Sequence, residues 1–231
     1  MSSARRWTLA LAALVLFAGF TALGTWQVAR LQWKLDLIER VNARVHQVPV
    51  PAPGPLAWAG VSRDSHEYQR VRLSGQFLFA LSTPVQAVTE LGPGFWVITP
   101  LRRDDGSVVL VNRGYVPKFS IETGEGGPVD VTGLLRISEP GGGFLRTNDP
   151  VNNKWYSRDV AAIARARGLS NVAPYFVDAA AGASKAGPVG GLTVIAFQNS
   201  HLVYALTWYA LAAMVAGMYF WLRRAGKTAH E

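Results

Sequence analysis

The chain of 231 residues contains no cysteine, which removes a disulfide framework, a thiolate metal site and a cysteine nucleophile together. The absence suits an oxidising compartment. Enzyme signatures are missing as well: there is no G-x-S-x-G elbow, no H-E-x-x-H zinc helix and no G-x-x-x-x-G-K-[ST] phosphate loop. The glycine-containing stretches GPGF and GEGGP do not stand between a strand and a helix, so they read as turns. Histidines number only four. His46 and His66 lie in polar segments without metal-ligand spacing, and His230 falls in the tail. Asp104 and Asp105 are adjacent, but one serves a turn and neither is placed for paired acid–base work. The expectation is a protein that is not an enzyme.

Charge is also scarce, at 16% of residues, whereas 49% are apolar. The apolar residues gather at the two ends. The net charge of +8 raises the question of a nucleic-acid partner, but its distribution answers otherwise. Arg5 and Arg6 supply +2, and Arg223, Arg224 and Lys227 less Glu231 supply another +2. Half the excess therefore flanks the apolar ends, where basic residues set membrane orientation. No nucleic-acid partner is expected; the bilayer is.

Residues 7–24 carry no charge and, at about 1.5 Å per residue, reach roughly 27 Å, close to the hydrocarbon thickness. A cleaved signal peptide is the rival reading. The length of the core and the interfacial Trp26 favour an uncleaved anchor. Residues 202–222 form the second span, closed by Arg223 and Arg224. Residues 1–6 and 223–231 are then cytoplasmic tails, and the segment between the spans crosses.

Residues 25–45 read as a helix leaving the membrane, with Trp26, Trp33, Leu37 and Val41 at helical spacing. The proline-rich stretch from 48 to 55 reads as an extended linker. Strand patterns follow. Val71, Leu73 and Phe77 alternate with polar residues, and FWVITPL and SVVLVN flank an Asp105-Gly106 turn. Val129, Val131, Leu135 and Ile137 alternate again, and PYFVD and LTVIAF are short strands. SRDVAAIARARG predicts one helix, capped by Ser157 or Asp159 and ended by Gly168. The fold class is a membrane α+β protein. Two transmembrane helices bracket a small, mainly antiparallel β domain, residues 46–198, with one or two helices.

Two places draw a functional question. VNRGYVP ends an apolar strand, and Arg113, Gly114 and Tyr115 read either as a strand end with a glycine bulge or as a docking surface. His201 stands at the threshold of the second span, with Tyr204, Thr207 or Trp208, and Leu211 on its helical face. Histidine, tyrosine and tryptophan collect at headgroup level as amphipathic residues without further role. Imidazole is also an axial haem ligand, and aromatic rings can flank a macrocycle. Both readings stand on the residues alone.

The stretches LGTWQVARLQWKLDLI, YQRVRLSGQF, GFWVITPLRRDDGSVVLVNRGYVP, VTGLLR and NSHLVYALTWYALAA occur in this order. Together they resemble the Surfeit-locus family of cytochrome c oxidase assembly factors, from about residue 23 to 224. The resemblance implies an assembly role rather than catalysis: a two-span inner-membrane chaperone that helps mature the haem-bearing subunit I of the oxidase. It implies that haem a is bound transiently, with His201 as iron ligand and Tyr204 on its face. Gly114 matches the family's strand-end glycine, and Tyr115 stands where other members carry phenylalanine or tryptophan. Few lysines among many arginines fit a bacterial chain with a periplasmic domain.

In this relay His201 meets iron from the outer side, Tyr204, Thr207 and Trp208 line the ring, and Arg30 is a candidate for the propionates. Haem a synthase and other assembly factors are possible partners. Two alternatives remain: a scaffold for the nascent oxidase subunit that never touches haem, and a membrane-anchored periplasmic hydrolase.

Overall fold

The computed structural model describes residues 3–121, 126–143, 145–182, 187–192 and 199–228. It divides into two units: Val41–Ile195, and Met1–Arg40 together with Ala196–Glu231.

In the first unit, alternation of apolar and polar side chains makes the strands, as period-2 patterning requires. The elements are β1 (Val50–Pro51), α2 (Arg63–His66), β2 (Arg70–Phe77), β3 (Thr83–Thr89), β4 (Gly92–Arg102), β5 (Val108–Val116) and β6 (Pro128–Ile137). The short pair β7 (Gly142–Gly143) and β8 (Arg146–Thr147), the helix α3 (Val160–Ala166) and β9 (Val172–Ala179) complete it. The main sheet runs β1-β2-β6-β9-β5-β4-β3, and β2 also pairs with β4. That extra pairing, Gln76 with Arg102 and Phe77 with Leu101, closes β2, β6, β9, β5 and β4 into a small barrel. Gly75 permits the closure, because a Cβ there would collide with the Arg102 carbonyl. Among the pairings of these strands, only β1–β2 and β5–β9 are parallel.

The run 108–111 is apolar on both faces because both are covered. Val109 and Val111 join Val71, Leu101, Leu135, Tyr175 and Val177 inside the barrel. Leu110 points the other way, into a second core with Ile98, Phe176, Trp155, Val160 and Ile163 of α3. Asp159 caps α3 by accepting from the Ala162 amide, and Gly168 follows with φ 63°.

One expectation needs revision. The proline-rich stretch is more than a linker: Val50 and Pro51 pair with Val71 and Arg72, and Pro55 opens a 3-10 helix over Pro55–Gly60. Proline is admissible there because β1 is an edge strand. The strand expected at LTVIAF lies, after Leu192, outside the described residues.

The second unit is a pair of helices, each long and apolar enough to cross a membrane. α1 runs unbroken over Ser3–His46, so the expected span and exit helix are one rod up to the residues before Pro49. α4 covers His201–Thr228. The threonines in these helices turn their hydroxyls inward: Thr21 bonds the Phe17 carbonyl, Thr25 that of Thr21, and Thr207 that of Val203. No solvent is then needed to satisfy them.

Candidate functional site

The helical pair meets along small residues. Gly24 on α1 faces Tyr209 on α4, and a Cβ there would stand 2.8 Å from the ring. Ala205 and Ala212 are buried on the α4 side. Such residues let helix backbones approach closely. Phe20 stacks on Trp208 at 5.7 Å between centroids, and the Thr25 and Tyr209 hydroxyls lie 3.2 Å apart.

His201 sits at the start of this seam, half-buried, one turn before Ala205 and two before Trp208. Its Nδ1 lies 2.8 Å from Oε1 of Gln27, a buried polar residue of α1. Tyr204, 53% exposed, stands about 60° round the helix from His201, where it can flank whatever His201 holds. Thr207 points further away and is occupied with Val203. Trp208 turns its ring onto Phe20 and so belongs to the helix–helix contact. Leu211 is partly buried on the same side. Arg30 is exposed on α1, its guanidinium 4.6 Å from the Trp33 ring centre. Gln27 was not among the residues singled out from sequence. The signal for it was an uncharged polar side chain within an apolar helix, three positions after a glycine.

In the β domain the strand-end motif is knitted into the barrel. Trp96 opposes Tyr115 and Ile98 opposes Asn112, so β5 carries one extra residue, a bulge at Arg113–Gly114. Gly114 has φ 132°, and a Cβ would run into the backbone of Val189. The Asn112 side chain accepts from the Gly114 amide at 3.2 Å and donates to Asp178 at 2.8 Å. Tyr115 is only 3% exposed and donates its hydroxyl hydrogen to the Pro93 carbonyl at 3.0 Å. The Arg113 guanidinium lies over Phe79 and Phe77, at 4.7 and 5.4 Å.

Asp178, 3% exposed, is the hub of a charge network assembled from four separate segments. Arg136 bonds it at 3.0 Å and Glu67 at 2.8 Å; Arg158 bonds it at 3.3 Å and Glu139 at 2.6 Å. Both arginines lie over the Phe176 ring. Burial alone would pull the Arg136 guanidinium down, but Asp178 and Glu67 outweigh it and hold its pKa above the ordinary value. Burial would push the Glu139 carboxyl up, yet hydrogen bonds and charge from Arg158, with Arg136 behind them, hold it below its usual range. A network satisfied in this way favours one packing of β6, β9 and the segment before α3.

His66 and His46 make local bonds, to the Ser65 hydroxyl and the Asn42 carbonyl. Among the described residues there is no cluster of three or more histidine or carboxylate side chains fit to hold a bare metal ion. A group that brought most of its own donors would need only one imidazole.

These features define a class: two membrane-length helices separated in sequence by a closed β domain, with an imidazole on the helical seam. A family model described as the SURF1 family matches residues 14–213. The chain is 35% identical over 244 residues to Surfeit locus protein 1 of Homo sapiens, covering 95% of this chain and 77% of the human one. It is 36% identical over 222 residues to Surfeit locus protein 1 of Takifugu rubripes, covering 86% and 90%. The Rattus norvegicus protein of the same name is 35% identical over 236 residues, covering 91% and 74%. The chain belongs to the SURF1 family.

Proposed function

We propose that this protein is an assembly factor for cytochrome c oxidase that holds haem a at His201 and helps deliver it to subunit I. Family membership supports the assembly role. The observation that carries the haem site is the position of His201, half-buried on the helical seam with Nδ1 occupied by Gln27. Both helices span the bilayer, the basic ends stay in the cytoplasm, and the β domain faces the periplasm.

The residues fit the cargo. A haem supplies four equatorial nitrogens and asks the protein for an axial donor, which His201 provides. Exposed Leu202 and Tyr204, which flank His201 on either side of the helix, give the ring's apolar faces and tail a wall beside lipid. Arg30 stands one turn beyond Gln27 on α1, about 4.5 Å along the axis, where a guanidinium can meet a propionate. One axial ligand in an open site releases its cargo more readily than two in a closed one. The β domain recognises the oxidase subunit, and haem a synthase is the donor partner. The role is transfer rather than catalysis.

The test is optical. Full-length protein made alongside haem a synthesis and purified in detergent should carry a Soret band that His201→Ala removes. A colourless wild-type preparation would favour the second reading, a scaffold that steadies the subunit without haem. Val88 and Leu145 favour that reading: each is nearly 90% exposed. Val88 itself borders a groove lined by Phe95, Arg146 and Tyr156, a surface suited to a protein partner.

A further inference from the structure

His201 is held through one ring nitrogen, and the identity of the holding atom decides the state of the other. Nδ1 faces Oε1 of Gln27 at 2.8 Å. An amide oxygen has lone pairs and no hydrogen, so the proton in this bond comes from Nδ1. Neutral imidazole carries one ring proton, which leaves Nε2 with an open lone pair. Among the described residues nothing else bonds to the ring. Free imidazole side chains prefer the opposite tautomer, with the proton on Nε2, so this arrangement is imposed.

What imposes it is the helix–helix contact. Gln27 is 9% exposed and lies one turn beyond Gly24, whose contact with Tyr209 sets the helix spacing. The Phe20–Trp208 stack and the Thr25–Tyr209 hydroxyl pair fix the register on the same stretch. A glutamine in an apolar helix is costly unless it has a partner. Its partner is the one imidazole in α4.

We propose that Gln27 is a positioning residue. By accepting from Nδ1 it fixes the tautomer and orientation of His201 and presents the Nε2 lone pair to the iron. Histidines that bind metals characteristically donate their second nitrogen to such an acceptor. The iron half of the proposal rests on the haem-binding reading above; the tautomer half does not.

The experiment separates the two. Full-length protein, labelled with nitrogen-15 histidine and kept haem-free in detergent, is read by long-range proton–nitrogen correlation, with His201→Ala assigning the signals. The wild type should show the proton on Nδ1. Gln27→Glu keeps the acceptor and should keep that tautomer, whereas Gln27→Leu should move the proton to Nε2. Titration with hemin, followed at the Soret band, should then show binding weakened about tenfold or more in Gln27→Leu and retained in Gln27→Glu. Retention by the glutamate variant excludes simple loss of helix packing as the cause. A tautomer unchanged in Gln27→Leu overturns the role of Gln27, even if His201→Ala abolishes haem binding. A wild type that takes up no hemin while its tautomer still follows residue 27 overturns the haem reading and leaves tautomer control standing by itself.

Discussion

Asn112 donates its side-chain amide hydrogen to Asp178 at 2.8 Å, and through the oxygen of the same group accepts the Gly114 amide at 3.2 Å. One buried side chain thus ties the bulge of β5 to the charge hub on β9. Asn112→Ala should cost about 2–3 kcal/mol, because a bond to a buried carboxylate is lost and its acceptor is left short. Gly114→Ala should cost about 3 kcal/mol or more, since φ 132° is closed to alanine and Val189 blocks the Cβ. Urea unfolding of the detergent-solubilised chain, followed by tryptophan fluorescence, measures both. Wild-type stability in Gly114→Ala would mean that the bulge is free to relax.

The Arg136 network predicts a response to acid. Arg136→Met leaves Glu67 and Asp178 facing each other without a bridging cation, and should cost about 3–5 kcal/mol at neutral pH. Glu139 has a folded-state pKa below its ordinary 4.5. Its contribution is therefore complete above that value and is lost as pH falls through the lower, folded value. The urea midpoint of the wild type should drop below about pH 4.5. Glu139→Gln should start lower at pH 7 and show a shallower acid limb. Parallel limbs in the two proteins would remove Glu139 from the account.

Much of the β domain was legible because alternation is a local signal: β2, β4, β5 and β6 fall where their apolar residues said. Barrel closure was not, since the pairing of Phe77 with Leu101 depends on residues far apart in sequence. The charge network escaped for the same reason, with Glu67, Arg136, Arg158 and Asp178 drawn from four segments. Proline misled at Val50–Pro51, because a missing donor is harmless on the unpaired side of an edge strand. At the helical pair, His201 was visible as a titratable residue before an apolar run. Gln27 was hidden because its importance lies in a contact between helices at opposite ends of the chain.

Tyr175 predicts a response to alkali. Its ring is fully buried in the barrel, and burial pushes its hydroxyl up to about 12, with smaller influences from Arg103 and Trp58 pulling the other way. Between about pH 10 and 12 the unfolded chain loses this proton while the folded chain keeps it, so stability falls as pH rises. The loss attributable to Tyr175 is about 2–3 kcal/mol across that window. Tyr175→Phe should lose only about 1 kcal/mol at pH 7, because the Pro53 carbonyl that Tyr175 bonds also accepts from Trp58. Its alkaline limb should be flatter than that of the wild type. Thermal midpoints at pH 8 to 11.5 decide the matter, and identical limbs would mean the phenol ionises freely in the fold.

The last prediction uses the lack of cysteine, since an engineered pair then reacts without competition. Phe20 and Trp208 stack with their ring centroids 5.7 Å apart, and replacing them leaves Tyr209 in place. Cysteines placed at both positions should be joined by a short bismaleimide in membranes, giving a band that cleavage within the β domain does not split into two. Adding Gly24→Val should abolish the joining, because even a Cβ at residue 24 stands 2.8 Å from the Tyr209 ring and a branched side chain forces the helices apart. The same substitution should lower hemin binding, because separating α1 from α4 also draws Gln27 away from His201. Joining that persists with valine at residue 24 would show that the helices can shift past this contact, and the geometry at His201 would then need another anchor.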